Sequence, residues 1–122
     1  MNILSNTVQL VAALGLVNVW VLRFGRKTPY RGGDSLHLPG EFAAYGLPSW
    51  SVWLVGALKL SCAALFVVGI WLPKAVAPSA GVLVALMLGA ILMHVKVRDP
   101  LVRSVPAALM LAMSVFLLWN TL

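Results

Sequence analysis

Charge is scarce in this chain. Of its 122 residues nine are Lys or Arg and three are acidic, namely Asp34, Glu41 and Asp99. A soluble domain carries about 25% charged residues, against 10% here. So little charge cannot cover a water-facing surface, which excludes an ordinary soluble globular protein and a disordered chain. The single cysteine, Cys62, excludes an internal disulfide, a secreted disulfide scaffold and a cysteine-cluster metal site. The two histidines, His37 and His94, stand far apart with no clustered carboxylate pair, so no metal site is expected. No Gly-rich phosphate loop, nucleophile elbow or HExxH pattern is present.

What fills the chain instead is apolar, at 61% of residues. Four long runs stand out, at about 3–22, 50–72, 76–95 and 104–122. Each is near the ~20 residues that a helix needs to cross ~30 Å of hydrocarbon. Lipid offers no hydrogen-bond partner to the backbone, so apolar spans of this length must be helices. Membrane strands would alternate apolar and polar residues, and these runs do not. The first run has no basic leader and no small-residue cleavage site before Arg23, and reads as a retained helix rather than a signal peptide.

The breaks agree. Pro73, Lys74 and Pro78 bracket a tight turn between runs two and three. Asp99–Pro100 separates runs three and four, and Pro106 suits the first turn of the last helix. The long connection, residues 23–49, is rich in Gly and Pro, with a short interfacial helix expected at 40–44. Arg23, Arg26, Lys27 and Arg31 lie in the first connection, and Lys96, Arg98 and Arg103 in the third. Only Lys74 lies opposite. The bias places both connections in the cytoplasm and both termini outside. It also accounts for the net charge of +6 without any nucleic-acid partner. Trp20, Trp50 and Trp53 near the inner ends, with Trp71 and Trp119 near the outer ends, fit interfacial belts.

The expected architecture is therefore all-α: one transmembrane domain over 1–122, an up-down four-helix bundle with the cytoplasmic or interfacial loop 23–49. Small residues permit close helix approach in lipid. The stripe Ala77, Gly81, Ala85 and Gly89, with Ala108 and Ala112, is the expected seam within the bundle or with a second copy.

Lys59, nine positions after Trp50, is the most informative polar residue. A lysine at a helix centre costs about 2.5–3.5 kcal/mol on insertion scales, so it should face the interior, a cavity or a partner. Its acidic partners can only be Asp34, Glu41 or Asp99, all on the inner side. Glu41 reaches it if the Gly40–Pro48 segment folds back. Asn18 and Cys62 are placed to share its face. His94, at the end of the third run, suits a proton relay to the inner surface, as the side chain type that ordinarily exchanges protons near neutral pH. His37 reads as a solvated loop residue and Cys62 as packing.

The stretch Phe42–Ala43–Ala44–Tyr45–Gly46–Leu47–Pro48–Ser49–Trp50 precedes Val55–Gly56–Ala57–Leu58–Lys59. Leu72–Pro73, Gly89–Ala90 and His94 follow. This pattern resembles the DoxX-like family of small four-helix membrane proteins, over about residues 40–119. The resemblance implies a membrane redox setting, since the wider group is named for a membrane subunit of thiosulfate:quinone oxidoreduction. His94 fits the family pattern. Many relatives carry a glutamate at the position of Lys59, so the cation here implies a different ligand or partner.

The leading expectation is an inner-membrane protein that binds a quinone- or isoprenoid-like molecule between its helices. Lys59 would contact the polar group, and His94, Glu41 and Asn18 would supply hydrogen bonds or protons. Tyr45, Trp50 and Trp53 would line the entrance. Two other readings stay open. One is an interaction subunit held to a membrane redox partner or a second copy through its small-residue stripes. The other is a membrane-embedded enzyme with Glu41, His94 and Asp99 as acid and base candidates and Lys59 stabilising negative charge.

Overall fold

The computed structural model describes residues 3–25, 30, 32–34 and 37–121, with only the backbone of Asp34. Arg26, Lys27 and Arg31, which carry much of the expected inner charge, lie outside the described residues, as does the Asp34 side chain. The described residues form five helices and no strand. They are α1 (Ile3–Val17), α2 (Leu38–Ala44), α3 (Trp50–Val68), α4 (Val76–Lys96) and α5 (Val105–Thr121). A π turn, Asn18–Leu22, extends α1, and short 3-10 turns at Pro73–Ala75 and Leu101–Ser104 lead into α4 and α5. Four segments are long and apolar enough to cross a membrane: Ile3–Leu22, Trp50–Val68, Pro73–Lys96 and Leu101–Thr121. They match the four apolar runs of the sequence to within a few residues.

The four long helices pack in a ring. Helix α1 lies against α3, α3 against α4, α4 against α5, and α5 returns to α1. Large apolar side chains such as Leu14, Leu92, Leu109 and Trp119 stay exposed on the outside. In water this surface would aggregate; in a bilayer it is the lipid-facing side. The core at the outer end centres on Phe66, Leu83 and Leu117, all fully buried. Gln9 ties α1 to the end of α3 there, its Nε2 donating to the Phe66 carbonyl at 2.9 Å, one of the last-turn carbonyls a helix leaves unsatisfied. Cys62 packs in this same core and donates to the Ser79 carbonyl at 3.5 Å. It does not share the surroundings of Lys59.

Three local features shape the inner end. First, the π turn at Asn18–Leu22 rolls Trp20 inward, where it is 6% exposed. The sequence reading placed Trp20 in an interfacial belt. Its ring instead lies edge-on to Phe42, centroids 5.8 Å apart, against the bare backbone of Gly56. A Cβ on Gly56 would come within 2.8 Å of the indole. Gly56→Val should therefore cost about 1–3 kcal/mol through overpacking, read as a lower unfolding temperature in lipid nanodiscs. An unchanged temperature would show that Trp20 moves away freely.

Second, α2 is cut out by its ends. The ring Nδ1 of His37 caps it by accepting from the Gly40 N–H at 2.8 Å, and Pro39 fits the first turn. His37 is thus a helix cap as well as a surface residue. Gly46, at φ 78°, closes the helix, and the Leu47 N–H reaches back to the Phe42 carbonyl at 3.1 Å. Such a left-handed closure favours glycine. Third, α4 ends in the same type of closure, but with Arg98 at φ 58°. There the Asp99 N–H bonds the His94 carbonyl at 3.0 Å. That turn folds Asp99 back over His94.

Within the chain, the small-residue stripe of α4 does not form the expected seam. The face of α4 that is buried carries Val76, Ser79, Ala80, Leu83, Met87 and His94. Ala85 and Gly89 border a cavity between the helices instead. Ala108 and Ala112 on α5 are not buried either, and that helix buries Ser114 and Leu117. Apolar periodicity does not say which side of a uniformly apolar helix turns inward, and here the small side chains leave space rather than contact.

Candidate functional site

Between α1, α3, α4 and α5 lies a cavity of about 780 Å³. Its middle is apolar, bordered by Val11, Leu86, Met93, Met110 and Met113. Its polar groups are Asn18, Arg23, Tyr30, Glu41, Tyr45, Lys59, His94 and Arg103. These come from both ends of the chain: α1 and its π turn, α2, α3, the end of α4 and the approach to α5. An apolar chamber of this size with a few convergent polar groups has the usual character of a small-molecule site, which runs from about 300 to 1,000 Å³.

The polar end is an ordered network. Tyr45 donates its hydroxyl to Glu41 Oε1 at 2.7 Å, one helical turn back. The Tyr45 hydroxyl oxygen lies 3.4 Å from His94 Nε2, and the Tyr45 and His94 rings meet edge to face with centroids 5.7 Å apart. His94 Nε2 is also 3.9 Å from Glu41 Oε1. On its other side, His94 Nδ1 meets Asp99 Oδ2 at 2.8 Å. Asp99 further accepts from Arg103 Nη1 at 2.7 Å and from the backbone N–H of Gly33 at 3.1 Å. The Asp99 side chain is 3% exposed and that of His94 is 6%. Burial alone would raise the Asp99 carboxyl. The bonds from His94, Gly33 and Arg103 outweigh it and hold the group below the usual carboxylate range. An ionised Asp99 is an acceptor only, so His94 carries its proton on Nδ1. The Tyr45 hydroxyl is pushed well above the ordinary phenol range, first by burial and then by the Glu41 charge, so it stays protonated.

Two further contacts fasten this end. Lys96 Nζ donates to the Tyr45 carbonyl at 2.8 Å. Gly32 presses on the Tyr45 ring and hydroxyl, leaving no room for a Cβ. Lys59 is half-buried, with its ammonium 5.3 Å from the centroid of Trp20. That cation–π contact holds the charge at the cavity wall, with no ion pair to Lys59 among the described residues. Glu41 borders the same cavity.

Glu41, distant in sequence from His94 and Asp99, thus converges with these two other acid and base candidates. Asn18, Tyr45 and Lys59 border the cavity. Asn18 opens the π turn and accepts from Arg23 Nε at 3.3 Å. Trp50 and Trp53 stand elsewhere, at 63% and 69% exposed. Trp53 stacks on Phe24, centroids 5.7 Å apart, and borders a separate shallow depression with Pro39 and Phe42. Neither borders the cavity. Sequence reasoning missed Trp20, the Gly33 N–H and the role of Arg103. Only Arg103 left a usable signal, four residues after Asp99, a spacing that pairs charges on one helical face. Among the described residues no group of three His, Cys, Asp or Glu could hold a metal ion.

Four apolar spans around a cavity define a small helical membrane protein. The DoxX-like family pattern matches residues 35–117, more than half of the chain, and the protein belongs to that family. No curated protein and no solved structure matches the chain.

Proposed function

We propose that the chain binds a hydrophobic, quinone- or isoprenoid-like molecule in this cavity. It would do so in a bacterial inner membrane with both termini outside, in the service of a membrane redox system. The cavity carries the reading: a mostly apolar lining is joined to one cluster of hydrogen-bonding and charged groups. That is the shape complement of a molecule with an apolar tail and a polar head. The head would sit between Lys59, Glu41 and Asn18, within reach of Tyr45 and His94. Lys59 would donate to a carbonyl or anionic oxygen, and the methionines would adapt to the tail.

Mass spectrometry of the protein extracted in a mild amphipathic polymer tests this, with Lys59→Met beside the wild type. A charge-assisted hydrogen bond is worth about 1.5–3 kcal/mol. Ligand content in Lys59→Met should therefore fall by at least about tenfold. Equal content in both would put the polar head elsewhere, and bulk phospholipid alone in both would favour an interaction subunit. The Glu41–Tyr45–His94–Asp99 network supports a second reading, in which the same site performs acid–base chemistry on the bound molecule. Turnover of an extracted ligand, abolished in His94→Gln, distinguishes that reading from binding alone.

A further inference from the structure

The hydrogen bonds at the polar end do not close in a single way. Tyr45 Oη has one proton and two neighbours, Glu41 Oε1 at 2.7 Å and His94 Nε2 at 3.4 Å. Nδ1 of His94 is committed to Asp99, which is itself held by Arg103 and the Gly33 N–H. Two arrangements satisfy the Tyr45 hydroxyl and its two neighbours, Glu41 Oε1 and His94 Nε2. In the first, a doubly protonated His94 donates from Nε2 to Tyr45 Oη, and the Tyr45 hydroxyl donates to the Glu41 carboxylate. In the second, a protonated Glu41 donates to Tyr45 Oη, and the Tyr45 hydroxyl donates to neutral His94. The two hold the same protons and the same net charge. In passing from the first to the second, the Nε2–H bond breaks as a bond to Tyr45 oxygen forms. The original Tyr45 O–H bond breaks as one to Glu41 forms. No oxidant, reductant or water is needed.

We propose that Tyr45 passes a proton between His94 and Glu41, and that the cavity therefore takes a ligand whose head group gains or loses a proton, such as a quinol or phenolic hydroxyl. This rests on the ligand reading above and narrows it, because a proton-inert isoprenoid hydrocarbon would have no use for the relay. Glu41 is the terminus inside the cavity, and Asp99 is the positioning residue that keeps His94 in the required tautomer. The 3.4 Å link is the longest in this path, as catalytic hydrogen bonds often are before a ligand binds. The charged and titratable groups facing this path are Glu41 from α2, Tyr45 at its C-terminal cap, Lys59 from α3 and Lys96 from α4. Asp99 and Arg103 follow from the α4–α5 connection, with Arg23 and Tyr30 at the cavity rim.

The test is the speed of proton arrival at Glu41 in the full chain in lipid nanodiscs. A flash-released proton from a caged acid starts the reaction, and the infrared carboxylic C=O band reports Glu41, assigned by its loss in Glu41→Gln. Tyr45→Phe keeps the ring and removes only the bridging hydroxyl. It should slow the band's rise by at least about tenfold, and His94→Gln should slow it similarly. A merely structural role for Tyr45 would leave the rate alone in a folded variant. Wild-type speed in either folded variant overturns the relay, and if one variant does not fold the other decides. Wild-type speed with native ligand still bound would refute the relay and leave the ligand reading intact. A slowed band in a protein that holds no ligand would keep the relay and refute the ligand reading.

Discussion

Gly89→Phe should empty the cavity while leaving the bundle folded. Gly89 borders the chamber, and a Cβ built on it meets nothing within 4 Å. A phenyl ring there would occupy the space the ligand tail needs. The substitution also removes a glycine from the interior of α4, where glycine costs about 1 kcal/mol relative to alanine. The unfolding temperature should therefore hold or rise while bound ligand falls by at least tenfold, on the order of the 1–3 kcal/mol that overpacking a filled site costs. Gly81 is the matched control. It lies two turns earlier on α4, and a Cβ there also meets nothing within 4 Å, but it does not border the cavity. Gly81→Phe should keep ligand at the wild-type level. Undiminished ligand in a folded Gly89→Phe protein would place the binding site outside this chamber.

Asp99→Asn should produce the largest loss of stability. The carboxylate accepts from His94, Arg103 and the Gly33 N–H in an almost fully buried position. An amide can replace one acceptor, but it leaves the Arg103 guanidinium without its anion and His94 without a reason to hold its proton on Nδ1. Loss of charged hydrogen bonds in such a place costs about 2–3 kcal/mol, measured as a fall in thermal or denaturant stability in nanodiscs. The pH dependence has a definite sign. The Asp99 carboxyl is depressed in the folded protein from an ordinary value of 3.8. Its stabilisation is thus fully present above that value and is lost as pH falls through the lower folded value. Wild-type stability should drop on acidification below about pH 4. The difference between wild type and Asp99→Asn should shrink over the same range. A difference that stays constant with pH would mean that the Asp99 charge contributes nothing to the fold.

The inner end of the molecule shows where reading the sequence succeeds and where it stops. Lys59 was legible as an interior cation because a lysine in the middle of an apolar run has few places to go. Glu41, His94 and Asp99 were legible as acid and base candidates because they were almost the only titratable groups present. Their convergence was not legible. It depends on a left-handed turn at Arg98, a residue type that gives no advance notice of such a turn. It depends equally on the closure at Gly46, which delivers Tyr45 to His94 from a helix only seven residues long. Trp20 escaped for a related reason. An indole near a span end is ordinarily an interfacial anchor, and only the π turn at Asn18–Leu22 rotates it onto Gly56 and beneath Lys59.

The amino-acid sequence by itself determined the class of protein, the number of spans and nearly all of their limits. A bilayer leaves an apolar run of this length no alternative to a helix, and hydropathy records that constraint residue by residue. Only the tertiary structure decided which face of each helix turns inward. These helices are apolar all round, so their periodicity carries little information about rotation, and packing alone selects it. That selection turned the small residues of α4 into a cavity wall instead of a seam. It moved Trp53 out onto the surface and Trp20 in, and joined four scattered polar residues into one hydrogen-bonded path.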